Sequence, residues 1–80
     1  MTTKVSLGYS AKTILLNKKA DVGRLGVALG RAAIKKGISV VDIALHLGVS
    51  RQTIYNWFVG AYDPKPDLER SINKLLSRLK

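Results

Sequence analysis

Residues 40–60 read VVDIALHLGVSRQTIYNWFVG, and this stretch decides the fold. Ser39 stands before it and can cap a short helix over residues 40–46, with Asp42 three positions on, near the helix's positive end. Leu47-Gly48-Val49 reads as a tight turn in which Gly48 takes a left-handed backbone at little steric cost. Ser50 caps a second helix over residues 51–59, and Gly60 stops it. Ile43 and Leu47 point inward from the first helix, Ile54 and Trp57 from the second, and Val49 plugs the turn. Ala44 is small where the two backbones cross. Together these features describe a helix-turn-helix, whose second helix enters the DNA major groove.

The flanks are legible in the same way. Residues 21–36 predict a preceding helix, with Asp21 as its cap and Gly37 as its end. At 100° per residue, Arg24, Arg31 and Lys35 fall in one narrow arc and apolar residues fill most of the rest. The arc reads most simply as a solvated stripe. Gly23, Gly26 and Gly30 weaken this helix by about 1 kcal/mol each relative to alanine. Close packing by a neighbouring helix would offset that loss. After Gly60, two prolines and an aspartate make residues 61–66 a loop. Residues 67–79 form a last helix, striped by Leu68, Ile72, Leu75, Leu76 and Leu79. That stripe either packs on the first helix within one monomer or serves as a dimer surface.

The first 20 residues hold no acid and read as a basic arm, partly disordered as chain ends often are. Val5, Leu7 and Tyr9 alternate as in a short strand, and Ile14-Leu15-Leu16 suits a helical turn or an anchor onto the main body. Eight basic residues against Asp21 alone lie in residues 1–38, and six against four in residues 39–80. The expected organisation is therefore an arm over 1–20 and one all-α domain of four to five helices over 21–80.

Composition excludes several classes of function. The chain has 80 residues and a formal net charge of +9, which allows one small domain and points to an anionic partner. It has no cysteine, so neither a disulfide scaffold nor a Cys-based zinc site is expected. A lone His46 among few acids makes no metal site and no catalytic constellation. Asp63, Asp67 and Glu69 suit a helix start better than a metal. No cofactor is expected and no enzyme activity. No apolar run spans a membrane. The basic arc is too narrow, on too glycine-rich a helix, for membrane-surface binding. A reduced, cytoplasmic setting follows.

The second motif helix begins Arg51-Gln52-Thr53 and continues with Tyr55 and Asn56. Arg can bond guanine O6 and N7 together, and Gln and Asn can bond adenine N6 and N7. Gln52 and Asn56 are four apart, on one face, with Arg51 and Tyr55 beside them. No acid on this helix repels phosphate. His46 reads as a surface residue of the first motif helix, Trp57 as core, and Phe58 as core or a contact to the last helix.

The segment resembles the helix-turn-helix of the Cro/cI repressor (Xre-type) family. Ala44, Gly48, Val49, Ile54 and Trp57 stand at that family's small, glycine and apolar positions. A preceding helix, a Trp-x-x-Gly ending, a Pro-containing loop and a further amphipathic helix extend the likeness over about residues 21–79. The resemblance implies an all-α bundle that regulates transcription by binding double-stranded DNA, a Cro-type repressor acting as a homodimer in a prokaryotic cell or a phage-infected host. It implies base contacts from Arg51, Gln52 and Asn56. It implies backbone or mixed contacts from Ser50, Thr53, Tyr55, Tyr62 and Lys65. The chain departs from the family at Val40, where glutamine often supports a phosphate contact; Ser39 or a backbone N–H takes that role here. Lys4, Lys12, Lys18 and Lys19 of the arm are candidates to follow the DNA. The competing reading is a helix-turn-helix protein that binds a protein partner, such as an antitoxin or a phage protein that captures a host protein, favoured by the apolar Ile14-Leu15-Leu16.

Overall fold

Three serines start three helices by the same geometry. Ser10, Ser39 and Ser50 have extended backbones, and each Oγ accepts the N–H three residues on at 3.1 Å, from Thr13, Asp42 and Thr53. Each bond satisfies a backbone donor that the first helical turn leaves free. In the computed structural model, which describes residues 9–79, these helices are α1 (Ala11–Lys19), α3 (Val40–Leu47) and α4 (Arg51–Phe58). Between them lies α2 (Leu25–Lys36), and the chain ends in α5 (Pro66–Leu79). Pro66 opens α5, where its missing N–H costs no helical bond. The described residues contain no strand. The fold is the expected all-α bundle of five helices.

The motif forms as its residues dictate. Gly48 caps α3 with φ 71°, and the Gly48 and Val49 N–H groups both donate to Ala44 O. Ile43, Ala44, Ile54, Trp57 and Phe58 are buried, with Leu47 and Val49 packed at their edge. α2 runs through the middle of the molecule and packs chiefly on α4 and α5. Its glycines permit the α4 contact. A Cβ on Gly26 would stand 2.7 Å from Trp57 Cβ, and one on Gly30 2.7 Å from both Phe58 Cγ and Asn17 Nδ2. Only glycine lets the two helices approach this closely. On α5, Ile72 and Leu76 are buried while Leu68, Leu75 and Leu79 are half-buried against the same core. The α5 stripe is thus packed within the monomer.

The N-terminal half differs from the expectation in three ways. First, residues 11–19 are a full helix docked on α2 and α4, longer than the helical turn or anchor expected at Ile14-Leu15-Leu16, and Tyr9 itself is not in a strand. Tyr9 is buried, stacks on Phe58 at 6.0 Å and donates its hydroxyl to Ile38 O at 2.6 Å. Val5, Leu7 and Lys4 lie outside the described residues.

Second, α2 begins at Leu25 rather than at residue 21. Asp21 Oδ1 is taken by Gly23 N–H at 2.8 Å, in a turn that Arg24 N–H closes on Asp21 O. Its carboxylate therefore caps a turn instead of the helix.

Third, Arg24 and Arg31 are not a solvated stripe. Asn17, 2% exposed, donates through Nδ2 to Phe58 O at 2.7 Å and Val27 O at 3.2 Å. Arg31 Nε donates to Asn17 Oδ1 at 3.1 Å, and its Nη2 to Asn17 O at 2.9 Å. One buried amide thus ties α1, α2 and α4 together. A buried polar group of this kind is tolerated because its bonds are made. Among the described residues, Lys35 alone of the three cations stays exposed without a bond to protein.

Candidate nucleic-acid interface

α4 carries the candidate residues on the side away from the core. Ile54, Trp57 and Phe58 turn inward and anchor the helix, so the intervening positions must face out. Arg51 and Gln52 are exposed, and Thr53, Tyr55 and Asn56 half-buried. Gln52 Nε2 donates to Asn56 Oδ1 at 3.2 Å. This pairing holds the two amides side by side, one helical turn apart. Among the described residues it leaves the Gln52 carbonyl oxygen and the Asn56 NH2 without partners. Together they form an acceptor beside a donor, which matches the N6 and N7 edge of adenine. Arg51, the first residue of α4, has no bonded partner among the described residues.

Ser50 and Thr53 share a hydroxyl bond of 2.9 Å at the start of α4. One hydroxyl proton of that pair stays available to an outside acceptor. Ser39 is half-buried, and its Oγ is occupied as the α3 cap. It retains only its own proton for a phosphate.

Tyr62 and Lys65, both exposed, stand across from α4. With Thr53 and Asn56 they line one hollow of about 470 Å³. Asn56 O accepts the N–H of Ala61 at 2.9 Å and of Tyr62 at 3.4 Å, so the loop is tied to α4 itself. Arg24 holds the loop's other side, through Nη1 to Gly60 O at 2.6 Å and Nε to Asp63 Oδ1 at 2.8 Å. The pair is exposed and adds little stability. Its hydrogen bond and charge raise the Arg24 pKa, and partial burial opposes this. Asp63 and Asp67 also line the hollow. α4 itself carries no acid, but its surroundings do. Arg24 neutralises one of these two carboxylates.

A second groove, of about 280 Å³, runs on the other flank of α4. Ser10 and Thr13 of α1 line it with Gln52, Tyr55, Asn56 and Val59. The start of α1 therefore lies beside the polar face of α4. Exposed Lys12 belongs to that first turn of α1. Lys18 and Lys19 are exposed in its last turn, about 9 Å further along, where they suit the helix's negative end. Lys4 lies outside the described residues. Exposed His46 faces α5, with Ser71, Lys74, Leu75 and Arg78 around one shallow hollow.

The sequence reading missed Ser10, Thr13, Asn17 and the structural roles of Arg24 and Arg31. Ser10 was legible as a cap, because it stands just before the apolar Ile14-Leu15-Leu16. Nothing local marks Asn17, whose partners are 10 and 41 residues away. Among the described residues, no cluster of His, Cys, Asp and Glu could hold a metal, and no helix is long and apolar enough to cross a membrane.

The sequence pattern of the helix-turn-helix family matches residues 29–76, which is α2 from Leu29 through most of α5. The chain belongs to the Cro/cI-type helix-turn-helix family. Comparison with curated proteins and with solved structures returned no match. The match places the chain among DNA-binding helix-turn-helix regulators, and α3, Gly48 and α4 are its helix-turn-helix. α1 and the first turn of α2 precede the family's shared core, so the Asn17 network lies partly outside it.

Proposed function

We propose that the protein is a sequence-specific regulator of transcription, a repressor of the Cro type, that reads the major groove with α4. The observation that carries this reading is the pairing of Gln52 with Asn56 on the exposed face of a helix anchored by Trp57. Arg51, Gln52 and Asn56 contact bases. Ser50, Thr53, Tyr55, Tyr62 and Lys65 contact phosphate or the base margins, and Ser39 offers one hydroxyl proton at the start of α3. Lys12 lies on the DNA side of α1, while Lys18 and Lys19 lie further from it. Two copies bind two half-sites about one DNA turn apart. Half-buried Leu75 on α5, beside exposed His46, offers the contact between copies.

Selection from a random duplex pool, at low and moderate salt, tests this. A short two-fold-symmetric motif is expected, with affinity falling steeply as salt rises. Binding without a motif would reduce the protein to a nonspecific DNA binder. No binding at either salt would overturn the DNA reading. It would favour a protein partner instead, for which exposed Leu15 and Leu16 provide an apolar contact.

A further inference from the structure

We propose that the groove between α2 and α5 docks an acidic amphipathic segment of a partner protein. The groove holds about 530 Å³. Its floor is apolar. Ala28 and Ala32 lie one turn apart on α2 and face Leu76 and Leu79 of α5, with Val22 at one side. Val22 is 49% exposed, which is high for a valine beside other apolar groups. The two alanines keep the floor shallow enough to admit side chains from outside.

The rim carries charge of one sign. Arg31, Lys35 and Lys36 line it, and among the described residues no acidic one does. Arg24–Asp63 is the only ion pair among the described residues, so none of these three cations pairs with a carboxylate of that set. Arg31 is held in place by its bonds to Asn17, which fixes part of the rim. An apolar floor inside a cationic rim fits a segment whose apolar side chains are flanked by carboxylates. A second copy of this chain fits poorly. It would bring the same three cations against a molecule of net charge +9, and like charges in contact are unfavourable.

The groove also faces away from α4. α2 meets α4 through Gly26 and Gly30, and at 100° per residue positions 28, 32 and 35 fall on the opposite side of the helix. A partner seated there leaves α4 clear. This point alone rests on α4 being the DNA-contacting helix; the groove and its chemistry do not.

Two synthetic peptides of equal length test the proposal. Both carry leucines at helical spacing; one fills its other positions with glutamate, the other with lysine. Binding is measured by calorimetry and by amide shifts of the full chain, with and without excess duplex DNA. The glutamate peptide is expected to bind and to shift the amides of Ala28, Ala32 and Leu76, and the lysine peptide is not. Lys35→Glu/Lys36→Glu should weaken the glutamate peptide by about tenfold. The milder Lys35→Gln/Lys36→Gln should weaken it less, which guards against a folding defect at the end of α2.

Equal binding of both peptides, or of neither, would overturn the proposal. So would self-association of the chain that shifts the same amides, since the occupant would then be a second copy. Displacement of the glutamate peptide by duplex would show that it had merely mimicked phosphate at α4, overturning the groove but not the DNA reading. If duplex DNA fails to bind at all, the amide shifts still judge the groove alone.

Discussion

The α3–turn–α4 motif and the α1–α2 flank have the same kind of residues but are held together differently. In the motif, each stabilising feature lies within a few residues of its partner. Ser39 and Ser50 cap their own helices, Gly48 turns the chain, and Ile43 and Ile54 on either side of it share one buried core. In the flank, the decisive contacts are remote. Asn17 bonds to Phe58 O, Tyr9 to Ile38 O, Arg24 to Asp63, and Gly30 makes room for Phe58. A short-range arrangement is dictated by spacing, while a long-range one is dictated by what the fold brings near. The difference teaches that the family's shared motif does not stand alone in this chain. It is buttressed from the N-terminal side by a buried amide and a buried phenol.

The largest effect is expected at the element that both regions share. Trp57→Ala removes a buried ring from the core and should cost about 3–5 kcal/mol, enough to unfold most of so small a domain. Circular dichroism and denaturant titration would show it. A well-folded variant that has lost only DNA binding would mean that Trp57 belongs to the contact surface and not to the core.

Asn17→Ala comes next. It leaves Phe58 O without its amide partner and frees Arg31, which should lower stability by about 1–3 kcal/mol and loosen α1. The loss is read as a lower Tm with faster amide exchange in α1. An unchanged Tm would make α1 an appendage and break the comparison.

Gln52→Ala should instead leave stability within about 0.5 kcal/mol, because its side chain is exposed. Under the proposed reading it weakens binding to the selected site by about 1–3 kcal/mol and relaxes preference at one base pair. Full specific affinity in this variant would remove α4 from the role assigned to it.

The smallest effect depends on pH. Burial raises the Tyr9 phenol above its usual range, and the charge of Tyr55 adds to this. The folded state therefore keeps the proton more tightly than the unfolded chain, whose phenol titrates near pH 10. The contribution to stability is complete below that pH and is lost as pH rises past it. Tyr9→Phe removes the bond to Ile38 O, at about 1 kcal/mol, and should flatten this alkaline limb. Denaturant midpoints of the two proteins, measured from neutral pH to above pH 10, should therefore converge. Parallel curves would show that Tyr9 is not the group responsible.

The legible part of the site was the part that needs only local geometry. Periodicity put Arg51, Gln52 and Asn56 on the outer face because it put Ile54 and Trp57 on the inner one, and both inner residues are buried. The loop's glycine and prolines announced the chain reversal that brings Tyr62 and Lys65 opposite α4. By contrast, the basic arc of Arg24, Arg31 and Lys35 is uniform in sequence but divided in the structure. Arg24 ties down the loop, Arg31 holds Asn17, and Lys35 lies at the rim of an open groove. Helical phase gives a direction, and the bonding partner depends on what stands in that direction.

By itself the sequence determined the helix boundaries near Ser39, Ser50 and Gly60, the left-handed turn at Gly48, and the core face of α4. Capping bonds, glycine's backbone freedom and apolar periodicity act within one or two turns of chain, so spacing suffices to read them. Only the tertiary structure decided that residues 11–19 are a docked helix, that Asn17 is buried, and that Gly26 and Gly30 are contact points. A polar side chain can be buried only where partners from other helices satisfy it, and a missing Cβ matters only where another backbone comes close. Those conditions belong to the assembled molecule, and no short window of sequence contains them.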